Sequence, residues 1–468
     1  MKLSRLSIPY RALRNSGSIA FVMILSGGFS FKELNLIALG IIAAGAGLIV
    51  LLNLGWAYLV WQNFDFMVED DSLKLVHGVI SKKDRKIPLK RIQNVDIRRN
   101  IFQRALGIAQ ISIETAGGNQ TEASLKYLNQ DEARNLRDRL QRKEKVSRED
   151  EEEDMLYEIS DRELAVLSAT SVDGRVIMAI TAVFGIAPGL IGGMMEQASF
   201  NLTAGLSILL VGTIAVTWIS SAVSNFLKYW GFKLYDREDS LEYETGLLNR
   251  SEGTIPMEKV QKITLEENIL KRLAGYATLK IDTAGYSPTK SVQNGPEAAI
   301  PLAQRGKVIE LAEEIQGVSK PAQQNISQRA RTRYFFRYSL ASLAATAAVF
   351  LTSGEPFTAG ATLLILETVS ISAAHFKWSR KGFEIGEENV LTMNGFWNHS
   401  INFIPYYRVQ NLIETTTFFQ RRWNLSTLDI DTAGTGNLLN RTAIIDLDSK
   451  KAEELKKAVY RRFQDSLK

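Results

Sequence analysis

The chain contains no cysteine, which excludes a disulfide framework, a thiolate nucleophile and any cysteine-ligated zinc or iron–sulfur site. Histidine is nearly as scarce. His77, His375 and His399 lie in separate regions, which argues against a histidine metal site or a catalytic dyad, so neither metal nor cofactor is expected. There is also no Walker loop, nucleophile elbow, HExxH or strand–glycine–helix fingerprint, and the chain is therefore not expected to be an enzyme. A net charge of +5 is too mild to suggest a nucleic-acid ligand and points to a nearby anionic surface.

What is present is segregation. A mean hydropathy of −0.06 coexists with 23% charged residues, so apolar and charged residues must occupy separate blocks. The clearest apolar run, 36–60, has no charge and gathers Trp56, Tyr58 and Trp61 at its far end, where aromatic rings favour a membrane interface. Similar runs occur at 176–195 and 203–227, with a weaker pair at 338–351 and 357–374 and a short first run at 18–29. Lys2, Arg5, Arg11 and Arg14 precede that first run in the manner of a signal peptide, but no small-residue cleavage site follows and a second run does. The reading is six transmembrane helices in three hairpins. The hairpin tips FKELN, EQASFN and TSGEP contain one basic residue, Lys32, so both termini and the soluble segments are expected in the cytoplasm of a multi-pass cell-membrane protein. Glu367, inside LLILETVS, is an intramembrane candidate because charge there is costly; pairing with a polar group of a neighbouring helix is the plainer account.

Between the hairpins one segment recurs three times without gaps. It reads GVISKKDRKIPLKRIQNVDIRRNIFQRALGIAQISIETAG from Gly78, GLLNRSEGTIPMEKVQKITLEENILKRLAGYATLKIDTAG from Gly246 and GFWNHSINFIPYYRVQNLIETTTFFQRRWNLSTLDIDTAG from Gly395. Proline (Pro88, Pro256, Pro405), glutamine (Gln93, Gln261, Gln410), arginine (Arg104, Arg272, Arg421) and a terminal Thr-Ala-Gly (Gly117, Gly285, Gly434) fall at fixed offsets. The closing segments alternate apolar and polar residues with period two, and each copy ends in an amphipathic helix. The expected fold class is a mixed membrane protein: three hairpins plus three small α+β barrels, each capped by a C-terminal helix. The boundaries read from sequence are hairpins at 1–61, 175–228 and 337–374, soluble domains at 62–147, 229–318 and 375–468, an acidic linker at 148–174 and a second linker at 319–336.

Residues shared by all copies, namely Gly78, Pro88, Gln93, Gly117 and their equivalents, are read as requirements of the fold. Basic residues that differ between copies are read as candidates for lipid or partner contact: Lys82, Lys83, Arg85, Lys86, Arg91 and Arg104 in the first copy, Lys271 and Arg272 in the second, Arg421 and Arg422 in the third. Solvated faces, or an arginine that caps the barrel, are the bland alternative. The third copy has Asn424 where the others have Gly107 and Gly275, and an aromatic run, FFQRRW.

A hydrophobic hairpin followed by G-x₉-P-x₄-Q, an arginine-containing turn and a strand ending in TAG resembles the bacterial pleckstrin-homology-like domain of membrane-flanked proteins, in its three-copy form. The resemblance implies barrels of seven strands with a C-terminal helix. It also suggests a membrane-integral interaction or scaffold protein that binds anionic head groups or protein partners, in envelope stress or antimicrobial resistance. The partners expected are the bilayer, another membrane protein or a second copy of the chain, and no nucleic acid. A transporter or lipid-handling subunit built on the helical region is the alternative.

Overall fold

The computed structural model of the chain describes residues 2–12, 15, 36–115, 123–140, 154–171, 202–237, 239–283, 299–317, 323–433 and 442–466. The chain forms two units, Met1–Glu153 with Leu248–Pro256, and Asp154–Leu247 with Met257–Lys468.

In the first copy helix α1 (Leu36–Gln62) runs into β1 (Phe64–Glu69), β2 (Ser72–His77) and β3 (Lys83–Pro88), an antiparallel sheet in that order. A 3-10 turn leads to β4 (Ile92–Arg99), the one-turn helix α2 (Ile101–Ala105), β5 (Ile108–Thr115), β6 (Ala123–Asn129) and the closing helix α3 (Gln130–Leu140). Alternation turns Leu73, Leu75 and Ile87 of the first sheet toward Val95, Ile97, Ile111 and Leu125 of the second, and Ala133, Leu136 and Leu140 on one face of α3 complete the core. Each fully buried aliphatic side chain contributes roughly 1.5–3 kcal/mol.

The second copy repeats the plan. It comprises β7 (Asp154–Glu158), α4 (Asp161–Thr170), α5 (Leu202–Tyr229), β8 (Lys233–Arg237), β9 (Ser240–Thr245), β10 (Arg250–Pro256), β11 (Val260–Asn268), α6 (Ile269–Leu273), β12 (Tyr276–Thr283), β13 (Ile300–Gln304) and α7 (Arg305–Gln316). The third has β14 (Gln324–Asn325), α8 (Gln328–Ser353), α9 (Pro356–Ser379), β15 (Gly382–Ile385), β16 (Asn389–Asn394), β17 (Asn398–Pro405), β18 (Val409–Thr415), α10 (Phe418–Arg422), β19 (Leu425–Thr432), β20 (Ala443–Asp448) and α11 (Ser449–Ser466).

The copies share sheets. In the second unit β13-β12-β11-β17-β16-β15-β14 is one seven-stranded sheet, so the last strands of copy two and the first of copy three form a single layer. There β11 pairs β17 with Glu267 opposite His399 and Leu265 opposite Ile401. In the first unit β4 pairs β10 with Arg99 opposite Arg250 and Ile97 opposite Glu252. Once the copies are aligned on their glycines, these two registers are identical.

The repeated residues have structural tasks. Proline closes β3, β10 and β17, and the next backbone amide donates to a turn carbonyl at the same place each time: Leu89 to Asp71, Met257 to Asp239, Tyr406 to Glu388, at 2.9, 2.9 and 3.1 Å. Each glutamine marks a β-bulge, since the register shifts between Ile92 and Asn94, Val260 and Lys262, and Val409 and Asn411. Gln261 donates to the Lys259 carbonyl at 3.3 Å, whereas Gln410 is exposed, so the bulge and not one hydrogen bond is common to them. Gly78, Gly246 and Gly395 turn with φ of 120°, 102° and 92°, and a Cβ at Gly78 or Gly395 would run into the carbonyl oxygen of Ser81 or Asn398. Gly117, Gly285 and Gly434 lie outside the described residues.

The expectation of six spans in three hairpins is corrected by the structure. Among the described residues two helices are long and apolar enough to cross a membrane, Gln328–Leu351 and Pro356–Ser379, and they pack as one hairpin. α1 contributes the shorter apolar stretch Gly47–Gln62 among the described residues. The pair that looks weaker in sequence qualifies because its helices extend well beyond the apolar cores at 338–351 and 357–374. The runs at 18–29 and 176–195 lie outside the described residues. The supposed linkers also contain structure. Ser160 and Glu163 form a capping box that starts α4 inside 148–174, and α8 begins within 319–336. β7 and β14, ahead of the long helices of their copies, pair with β8 and β15, so the seventh strand of copies two and three comes from upstream, while copy one has six among the described residues.

Asn424 adopts φ 49°, the left-handed conformation of Gly107 (64°) and Gly275 (79°), which asparagine tolerates better than other side chains. Asn424→Gly should leave the thermal midpoint of the full chain in detergent unchanged or slightly raised, whereas Asn424→Val should cost about 1–3 kcal/mol.

Candidate functional site

The one-turn helices α2, α6 and α10 hold the arginines that recur in register, and their geometry follows from capping. Asn100, Asn268 and Thr417 accept from the amides of Gln103, Lys271 and Gln420, closing a turn too short to be stable alone. Each turn rests on a segment of its own copy upstream of β1, β8 or β15. Asn100 Nδ2 donates to Tyr10 Oη at 2.6 Å, Asn268 Nδ2 donates to the Thr170 carbonyl at 2.6 Å, and Trp423 meets Phe336 of α8 with ring centroids 5.7 Å apart.

Their outer faces differ. In copy three Phe418 and Phe419 are 75% and 71% exposed, beside exposed Arg421 and Arg422. Copy one shows a smaller version, with Phe102 70% exposed next to Arg104. In copy two Leu273 is exposed, but the cations turn inward. Lys271 Nζ donates to Thr278 Oγ1 at 2.8 Å, and burial pushes its pKa down to about 8. The structure therefore brings Phe418, Phe419, Arg421 and Arg422 together as one surface and withdraws Lys271 from it.

The basic stretch of copy one is a strand edge. Lys82, Lys83, Arg85 and Lys86 are exposed on or just before β3, and Arg91 is exposed in the turn after it. Lys86 pairs with Glu69 at 2.6 Å and Lys74 with Asp84 at 3.5 Å. A depression of about 440 Å³ beside them is lined by Glu69, Asp70, Asp71, Ser72, Lys86 and Pro88; three carboxylates against one lysine suit no phosphate. Glu367 lies in α9, where Ser339 Oγ of α8 lies 2.7 Å from both carboxylate oxygens, and Ser342 and Ser370 meet at 2.8 Å nearby. These contacts pair the two helices.

Sequence reasoning missed how an upstream segment of each copy is fastened to its domain. The last strand of copies one and three bulges at an equivalent residue with positive φ, Tyr127 (70°) and Asp446 (64°), and that residue receives an upstream segment of its own copy. The Ser4 amide donates to the Tyr127 carbonyl at 3.0 Å and Arg11 stacks over the Tyr127 ring at 4.8 Å. In copy two Tyr157 donates to the carbonyl of Leu302, the corresponding residue. In copy three Asp446, fully buried, accepts from Arg333 at 2.5 Å, from Tyr334, and from Gln420 of α10 at 2.8 Å, while Lys381, just beyond α9, approaches to 4.0 Å. Burial alone would raise the Asp446 carboxyl, but those hydrogen bonds and the charges of Lys381 and Arg333 hold it below its ordinary value. Burial pushes Lys381 down to about 8.

The seams carry a second unforeseen pattern: one buried carboxylate among several cations. Glu252 pairs with Arg99, with Arg250 and Arg134 at 3.6 and 3.7 Å. Glu267 pairs with Arg305 at 2.7 Å and lies opposite His399. Burial, with the charges of Arg380, Arg272 and Arg305, lowers His399 to about 4. Opposite charges at one repeat position, Arg99 against Glu267, were the signal available in the aligned copies.

A family described as bacterial PH domain matches residues 20–144, 179–318 and 338–463. The chain is 23% identical over 435 residues to the transmembrane protein YdbT of Bacillus subtilis (strain 168), covering 87% of this chain and 86% of that one. No solved structure matches it significantly.

Because folded His399 binds its proton only near pH 4, the folded state holds fewer protons than the unfolded one between pH 6.5 and 4, and stability falls as pH drops through that window. The thermal midpoint of the full chain should fall less steeply there in His399→Asn. Asp446→Ala should cost on the order of 3–5 kcal/mol, because it leaves buried cations unpaired; urea unfolding monitored at Trp423 measures it.

Proposed function

The chain belongs to the bacterial PH domain family, and on that premise we propose that this membrane-associated protein is a scaffold whose third domain holds its α10 tip in an anionic leaflet. The observation that carries the reading is the pair Phe418 and Phe419, exposed on a turn packed against α8 and backed by Arg421 and Arg422. Apolar side chains with adjacent cations gain by burying rings among acyl chains while the guanidinium groups meet phosphates. Each arginine adds about 1 kcal/mol near an anionic surface.

In this reading α8 and α9 cross the bilayer as a hairpin with the domains in the cytoplasm. Arg329, Arg331, Arg333, Arg337, Lys377, Arg380 and Lys381 gather at its domain end, and the turn at Gly354 and Glu355 holds no cation, which accords with the positive-inside rule. Asp446 supports a coupled unit, since it joins Gln420 of the tip to Arg333, Tyr334 and Lys381 at both ends of the hairpin. A role in envelope stress is an extension of the scaffold reading.

The absence of native cysteine permits a direct test. Phe419→Cys in the full chain is labelled with an environment-sensitive fluorophore and placed in nanodiscs. Emission should shift to the blue in phosphatidylglycerol relative to phosphatidylcholine, and Arg421→Glu with Arg422→Glu should remove the difference. Emission typical of water in both lipids would refute the insertion.

A further inference from the structure

Every pairing between copies uses the first sheet of the later copy and the second sheet of the earlier one: β10 on β4, β17 on β11. Three copies make two such seams and leave one edge of each kind. Those edges are β3 and β18, and neither has a second strand partner among the described residues. Their exposure matches. β17 and β11 are buried along most of their length, whereas β3 is exposed except at Ile87, and β18 exposes Gln410, Asn411, Ile413 and Thr415.

The outer face of the first sheet is also recoded. Where copy three sets Leu391, Met393, Ile401 and Phe403 against copy two, copy one has Lys74, Val76, Asp84 and Lys86. The strand and its approach carry Lys82, Lys83, Arg85 and Lys86 against Asp84 alone. At the other end β18 and β19 hold Glu414, Asp429 and Asp431 and no lysine or arginine. Two β3 edges would set lysines against lysines, and two β18 edges would bring carboxylates together. Only the mixed pairing compensates charge.

We propose that β18 of one chain pairs with β3 of a second copy of the chain, antiparallel and in the register of the internal seams. Carrying over the pairs Glu266 with Ser400 and Thr264 with Asn402 sets Thr415 opposite Lys83 and Ile413 opposite Arg85. The contact is heterologous, so it repeats: every chain that receives a strand at β3 offers one at β18, and the product is a ring or an open string. The lysines select the partner edge and bar self-pairing of like edges.

The test again uses the cysteine-free background. Full-length Lys83→Cys and Thr415→Cys chains are reconstituted together in phosphatidylcholine vesicles and oxidised. Directly opposed positions lie within disulfide reach, and Glu266→Cys with Ser400→Cys in one chain, the same register position at an internal seam, reports that the chemistry works. The mixture should give a two-chain product several-fold above either single population, and Lys82→Glu with Lys86→Glu in the Lys83→Cys chain should reduce it several-fold. Single chains only, with the internal control closed, would overturn the proposal. So would equal yield from Lys83→Cys alone, which would signal collision. A product that disappears in phosphatidylglycerol vesicles would assign the β3 edge to lipid instead.

Discussion

The backbone ladder between copies is the constraint on which the other features depend. A barrel built from two three-stranded sheets has open edges, and here the edge is closed by the neighbouring copy, β10 on β4 and β17 on β11, instead of by the barrel's own strands. Register then governs everything near the seam, because a slip by one residue would turn Ile263, Leu265, Ile401 and Phe403 off the face they bury and expose them on the other. It also brings Glu252 and Glu267 into the interior, where each needs a guanidinium. Their pairs with Arg99 and Arg305 are conditions of burial, since an unpaired charge there would cost several kcal/mol.

The bulge position of the last strand serves as the fastening point for an upstream segment of its copy. Tyr127, Leu302 and Asp446 occupy one structural position with three chemistries: a ring and a carbonyl for Arg11 and Ser4, a carbonyl for Tyr157, and a carboxylate for Arg333 and Tyr334. Only the carboxylate gathers partners from α8, from Lys381 just past α9 and from the neighbouring tip helix. The third copy thus binds its hairpin to its domain by charge, and the surface around Phe418 and Phe419 is held in fixed relation to α8.

The fold of each copy was legible in the sequence because it depends on local signals in fixed register. Proline marked a strand end, Gly78 and its equivalents a tight turn, and period-two alternation the strands. The arginine set found the tips, but composition could not tell that Lys271 bends inward to Thr278 while Arg421 and Arg422 stay out, since that is decided by contacts seven residues away. Apolar runs were a poorer guide. The apolar cores at 338–351 and 357–374 understated the third pair, because α8 and α9 gain their length from polar and basic turns at their ends. Sharing of sheets between copies left no mark in any single copy, and it shows only when the charges at Arg99, Glu267, Arg250 and His399 are compared across the alignment.

Strand sharing also gives the chain a history in time. As it is synthesised from its N-terminus, β11 exists before β17 does, and its outer edge stays exposed until some 130 residues more have emerged. An unfinished sheet of that kind pairs readily with whatever strand is nearest. The segment made during the wait is the α8–α9 hairpin, and delivering it to the bilayer before β17 appears would keep the open edge at the membrane surface, away from other nascent chains.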